Sequence, residues 1–176
     1  MDYREKTIES RKVFKGNILN LRIDKVLLPD GNIASREIVE HNGGVGIVAV
    51  KDGSILLVRQ YRKPIESVIF EIPAGKLEGD EDPHDCAFRE LEEETGYIPG
   101  KVKLINKVYP SPGFSSEKLY IYLAEDLKIG KIHRDKDEFM DSDFYNIPDV
   151  VDMIKNGIIS DAKTICGLLS YTQGLV

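Results

Sequence analysis

Few cysteines, no basic block and no long apolar run characterise this chain of 176 residues, and each scarcity excludes something. The two cysteines, Cys86 and Cys166, fall in predicted helices far apart in sequence. That speaks against a disulfide framework and makes both read as small apolar residues of a reduced compartment. Net charge is −6, with no cluster of Lys or Arg, which argues against a nucleic-acid groove. No apolar stretch approaches the length of a membrane span. The opening residues, Met1-Asp-Tyr-Arg-Glu-Lys6, are charged and precede no apolar core, so no signal peptide and a cytoplasmic location are expected. Internal repeats and low-complexity linkers are missing too. The three histidines lack metal-ligand spacing, and none is given a catalytic role.

What is present suits a soluble globular domain with some elaboration: 41% hydrophobic and 31% charged residues. Residues 11–40 carry two or three strands, broken by turn signals at Gly16-Asn17 and Pro29-Asp30-Gly31. Val45 to Val50 reads as a buried strand, Lys51-Asp-Gly-Ser54 as a hairpin turn, and Ile55 to Gln60 as the return strand. Ile69–Ile72, Val102–Tyr109 and Leu119–Ala124 are further strands. A charged loop follows, then a short helix opened by Pro148. A last helix spans Asp161–Gln173, with Ala162, Ile165, Cys166 and Leu169 on one face. This order predicts an α+β fold of the α/β sandwich type, a mixed sheet with few helices.

The most informative segment runs from Gly75 to Gly96. Asp82-Pro83 reads as a helix start, with Asp82 as N-cap and Pro83 at the first helical position. Gly96 reads as the stop. Between them His84, Ala87, Phe88, Leu91 and Thr95 fall on one face, and Glu90, Glu93 and Glu94 on another. Arg89 can reach Glu93 one turn on, but Glu90 and Glu94 oppose each other with no cation between them. Like charges so spaced destabilise an isolated helix. A hard divalent cation resolves the conflict, and Mg²⁺ favours carboxylate oxygens, water and substrate phosphates. Glu92 lies about 100° around the helix from Glu93 and reads as solvated surface.

The full spacing is Gly75, five residues, Glu81, seven residues, Arg89-Glu90-Leu91, one residue, Glu93-Glu94, one residue, Gly96, Tyr97. It resembles the signature of the Nudix hydrolases, departing only at Tyr97, where an aliphatic residue is usual. The resemblance implies a Nudix fold, a mixed sheet between helices, over residues 41–176, with residues 1–40 as extra N-terminal antiparallel strands. It also implies Mg²⁺-dependent cleavage of a diphosphate, with Mn²⁺ as a substitute. Glu90 and Glu94 are the first metal-ligand candidates, then Glu93, joined by the carbonyl of Ala74. Glu81 is either a further ligand or a partner for Arg89, which orients the ligands. The charged loop His133–Met140 holds Asp135, Asp137 and Glu138. Glu138 matches the family's water-activating glutamate, or the loop is simply exposed.

Three features outside the signature resemble the ADP-ribose pyrophosphatase subgroup. Pro112 lies sixteen residues beyond Gly96. Val58-Arg-Gln-Tyr-Arg62 is followed by Glu71-Ile-Pro-Ala-Gly75. Ser35-Arg-Glu-Ile-Val39 and Asp161-Ala-Lys-Thr164 flank the rest. Each also has a structural reading: a turn proline, a paired surface cation, a helix cap. Arg36 and Arg59 are candidates for diphosphate contacts, since guanidinium matches phosphate with paired hydrogen bonds. Tyr61 and Phe114 are candidates for stacking on a base. The resemblance implies hydrolysis of ADP-ribose to AMP and ribose 5-phosphate. The alternatives are another nucleoside diphosphate sugar, such as a GDP-sugar, or a non-catalytic ADP-ribose sensor. It further implies a homodimer formed through residues 1–40; charge and the lack of a long apolar run already argue against a nucleic-acid or membrane partner.

Overall fold

The computed structural model describes residues 2–134 and 138–176. Asp135 and Asp137 of the charged loop lie outside them. The chain forms two compact units. The first comprises residues 1–43 together with 109–118, and the second comprises 44–108 and 119–176.

In the first unit β1 (Lys6–Lys15), β2 (Asn20–Leu27) and β3 (Ile33–Glu40) form an antiparallel sheet in that order. β1 starts five residues before the predicted strand region. The turns fall where glycine and proline signalled them, Gly31 at φ +86. Residues 109–118 join the unit through β3: Val39 N–H donates to Phe114 O (2.8 Å), and Ser116 N–H donates to Val39 O (2.9 Å).

The second unit is built on β4 (Gly44–Lys51), β5 (Ser54–Arg62), β9 (Lys101–Val108), β10 (Leu119–Glu125) and β12 (Met140–Asn146). The order is β12-β5-β4-β10-β9, with β6 (Ser67–Glu71) on β5 and β7 (Ala74–Lys76) on β4. Only the β4–β10 pair within this sheet is parallel, so the sheet is mixed. A short antiparallel ribbon pairs β8 (Tyr97–Ile98) with β11 (Lys128–Ile129).

Strand alternation divides the core in two. Val45, Ile47, Ala49, Leu56, Tyr122 and Ala124 face α1 (Pro83–Thr95), which contributes Cys86, Ala87 and Leu91. Val48, Ile55, Leu57, Ile121 and Leu123 face the other way. There they meet Val150 of α2 (Ile147–Lys155) and Leu168 of α3 (Ala162–Thr172). The second unit is thus a helix–sheet–helix sandwich, as expected.

Three expectations need correction. His84 is half exposed, although its ring still lies against Phe88 and Tyr122 (centroids 4.9 and 6.1 Å), while Glu94 is buried. α3 is rotated from the expected face: Thr164, Gly167, Leu168 and Ser170 are buried, and Ala162 and Leu169 are exposed. The cause is Gly167, where a Cβ would lie 2.8 Å from Val48, so the helix backbone sits close on the sheet. The stretch ending at Asn146 is a strand, β12, not a loop. Among the described residues no helix is long and apolar enough to cross a membrane.

Candidate active site

The site begins with a helix whose ends are fixed locally. Asp82 accepts His84 N–H at 2.8 Å, Pro83 opens the first turn, and Gly96 closes the last at φ +75. With its ends set and Leu91 fully buried, α1 holds its carboxylates against β7.

Glycines permit this approach. A Cβ on Gly44 would lie 2.5 Å from the carbonyl oxygen of Gly75, so β4 and β7 need a bare backbone there. A Cβ on Gly75 would overlap the carboxyl group of Glu90. Next to it, Ala74 N–H donates to Glu94 Oε2 at 3.1 Å. The structure therefore brings together Ala74, Gly75, Glu90 and Glu94. Of these, Glu94 is buried, only 4% exposed.

Arg89 gathers the other acids. Its Nε and Nη2 donate to the two Glu81 oxygens at 2.9 and 3.0 Å, and Nη1 lies 2.9 Å from Glu93 and 2.8 Å from Glu90. Of the two readings of Glu81, the one observed here is the partner of Arg89. These hydrogen bonds hold the Glu81 carboxyl down at about 2 and push the Arg89 guanidinium up. Glu90 and Glu94 go the other way. Burial raises Glu90 to about 7 against the pull of Arg89, with Glu93 and Glu138 adding repulsion. Burial likewise raises Glu94 to about 8 against the Ala74 N–H, with Glu90 and Glu138 adding repulsion. Glu138 is thus within electrostatic range of both.

This donor set fits a hard divalent cation. Glu94, buried, and Glu90, part-buried, repel each other and need a positive charge beside them to ionise at neutral pH, and oxygen is the donor Mg²⁺ takes. Among the described residues no three His, Cys, Asp or Glu side chains already converge as a metal cage. Oxygens of Glu90 and Glu93 are instead drawn to Arg89.

Beside the cluster, Arg59, Tyr61, Val68, Arg134, Glu138 and Phe139 line a cleft of about 600 Å³. Arg59 is paired with Asp141 of β12 at 2.8 Å, and Tyr61 is half exposed. Arg36 and Phe114 belong to the first unit. There Arg36 is held by Glu5 through two hydrogen bonds of 2.9 and 2.6 Å. Phe114 is exposed, and both residues line a groove with Pro112. Glu92 is not free surface: its Oε1 accepts Lys131 N–H at 3.4 Å.

Sequence reading missed Arg134. It donates to Glu94 O at 2.7 Å and to Met140 O at 2.6 Å, tying both ends of the loop that carries Glu138 to the end of α1. His133 N–H adds a bond to Glu93 O (3.1 Å). No spacing rule marks an arginine whose partners are backbone carbonyls.

Residues 40–167 match the NUDIX domain family, and residues 5–39 match the nucleoside diphosphate sugar hydrolase N-terminal domain. The chain belongs to the Nudix family and is a nucleoside diphosphate sugar hydrolase within it. It is 44% identical over 163 residues to an ADP-ribose pyrophosphatase of Bacillus subtilis (strain 168), covering 91% of this chain and 88% of that one. It is 42% identical over 174 residues to a methanol dehydrogenase activator of Bacillus methanolicus, covering 97% and 94%. Its fold is that of a crystal structure of an ADP compounds hydrolase, with a TM-score of 0.88 at 20% identity over 99% of this chain and 96% of that one.

Proposed function

We propose that this protein hydrolyses the diphosphate of ADP-ribose, releasing AMP and ribose 5-phosphate, with Mg²⁺ as cofactor and Mn²⁺ as a substitute. The observation that carries the chemistry is the carboxylate pair of buried Glu94 and part-buried Glu90, set on the Ala74–Gly75 backbone within range of Glu138. The choice of ADP-ribose follows the Bacillus subtilis relative, whose likeness extends along nearly the whole chain.

In this reading Glu90, Glu94 and the Ala74 carbonyl hold the cation, with Glu93 and Glu81 in reserve on Arg89. When bound, the cation neutralises the diphosphate and lowers the pKa of a coordinated water. Glu138 takes the proton from the attacking water. Arg89 orients Glu90 and Glu93, and its bidentate hold on Glu81 keeps it in place. Arg59 and Tyr61, in the cleft beside Glu138, meet the diphosphate and the base. Phe114 remains a candidate for stacking on the base, and in a homodimer Arg36, once released from Glu5, reaches the second subunit's site.

Residues 1–40 act as a dimerising segment and 41–176 as the catalytic domain, in a cytoplasmic homodimer. Ile8, Val13, Phe14, Leu27 and Ile33 leave much apolar surface exposed on the three-stranded sheet, and such a sheet needs something to pack against. Light scattering on the full chain and on a chain starting at His41 tests this. A dimer and a monomer or aggregate are expected, and a monomeric, fully active full chain overturns it.

Substrate is tested by incubating the enzyme and Mg²⁺ with ADP-ribose, a GDP-sugar and a UDP-sugar and separating the products. ADP-ribose is expected to have the highest kcat/KM. A GDP-sugar cleaved more efficiently would replace the proposed substrate, and binding without cleavage would make the protein a sensor.

A further inference from the structure

The backbone leading into the site has an unusual gap. β6 ends at Glu71 and β7 begins at Ala74, so Ile72 and Pro73 fall between two ladders. Pro73 has no N–H to give. Its carbonyl is taken by Ile47 N–H at 2.8 Å. Ile72 is fully buried, and its N–H needs a partner from elsewhere.

That partner comes from α3, some ninety residues on. Thr164 Oγ1 accepts Ile72 N–H at 3.0 Å. The same hydroxyl donates to Asp161 Oδ2 at 2.6 Å, and Thr164 N–H donates to that oxygen at 2.9 Å. Asp161 is therefore a helix cap whose acceptor also aims the threonine hydroxyl. Lys163 spans the same gap: its Nζ lies 2.5 Å from Glu71 Oε1 and 3.0 Å from Asp161 Oδ2. Arg62 Nε donates to the other Glu71 oxygen at 2.7 Å. Glu71 is 2% exposed and Thr164 is 0% exposed, so polar groups stand where apolar ones would serve packing alone.

Two residues past this junction, Ala74 N–H meets Glu94, and Gly75 lies against Glu90. We propose that Thr164, Lys163 and Glu71 form a positioning latch: α3 sets the Pro73–Gly75 backbone against Glu90 and Glu94, and so sets the affinity of the site for a divalent cation. The inference rests on the metal site of the proposed function and adds residues outside the signature to it.

The test measures Mn²⁺ binding by electron paramagnetic resonance, without substrate, on the wild type, Thr164→Val, Thr164→Ser and Lys163→Met. Outer residues that orient ligands typically cost ~10–100-fold in metal affinity when changed. Thr164→Val is expected to weaken Mn²⁺ binding about tenfold and to lower kcat to a similar extent. KM for ADP-ribose at saturating metal is expected to stay within about twofold. Thr164→Ser restores the hydroxyl and both readouts, and Lys163→Met shifts both in the same direction as Thr164→Val. Circular dichroism checks the fold; if Thr164→Val is unfolded, Lys163→Met decides. A folded variant that binds Mn²⁺ like the wild type overturns the latch alone. A wild type that takes up no Mn²⁺ overturns the metal site and the latch together.

Discussion

Gly75→Ala separates catalytic geometry from folding. Gly75 is not among the positive-φ residues, so its backbone accepts alanine. What alanine cannot do is share space with Glu90. The added Cβ would lie well inside the 3.0 Å that real Cβ contacts keep from neighbours, and what it strikes is the carboxylate end of a flexible side chain. The carboxylate must therefore withdraw by roughly 1 Å or more, and a displacement of that size costs on the order of 10²-fold in rate. That equals about 2.7 kcal/mol of transition-state stabilisation. Stability should change little, because Glu90 retreats from a position where burial already opposes its charge. Steady-state kinetics with ADP-ribose and saturating Mg²⁺, beside a thermal melt, give both numbers. A variant within about threefold of wild-type kcat would show Glu90 to be dispensable where it stands and overturn its assigned role. An unfolded variant would instead make Gly75 a requirement of the fold.

Other perturbations have equally definite outcomes. Glu94→Gln should lower kcat by about 10²-fold or more while the metal-free protein melts no lower at pH 8, because a charge that burial disfavours is gone; near-normal turnover would remove Glu94 from the site. Metal-free stability should fall as pH rises from 4.5 through about 7 and 8. Glu90 and Glu94 sit at those raised values when folded and near 4.5 when unfolded, so the folded state binds more protons across that window. Below 4.5 the sign reverses, as Glu81, held at about 2, must give up Arg89. Mg²⁺ should raise Tm more at pH 8 than at pH 6, where it competes with bound protons, and a flat response in calorimetry at both would count against the site. Arg134→Ala should cut kcat by roughly 10–100-fold with Tm nearly unchanged, through loss of the tie between the Glu138 loop and α1; equal loss of both would show a purely structural role.

What the sequence revealed tracks the range of the interactions involved. α1 was readable to the residue at both ends because Asp82, Pro83 and Gly96 act within one turn. The Asp52-Gly53 turn was readable for the same reason, both residues having positive φ. The carboxylate spacing announced a cation site, but not that Glu94 is buried, because burial depends on β7, some twenty residues away. β12 was hidden by Asp141 and Asp143, which read as loop. They point outward along a strand whose pairing with β5 is long-range. The face of α3 was misjudged because small residues, Gly167 and Thr164, pack there in place of large ones. The Arg134–Glu94 and Thr164–Ile72 bonds join segments tens of residues apart through backbone groups, and no spacing rule pairs them.

Glu90 and Glu94 are expected to support metal-dependent cleavage of the ADP-ribose diphosphate. Phosphorus-31 NMR of ADP-ribose with the wild-type enzyme follows that bond directly. With Mg²⁺ the diphosphate resonances should give way to two monophosphate signals in equal amounts, those of AMP and ribose 5-phosphate. They should persist when Mg²⁺ is chelated or when Glu94→Gln replaces the wild type. A diphosphate that survives beside the Mg²⁺-loaded wild type, or one cleaved as fast without metal, would contradict the account.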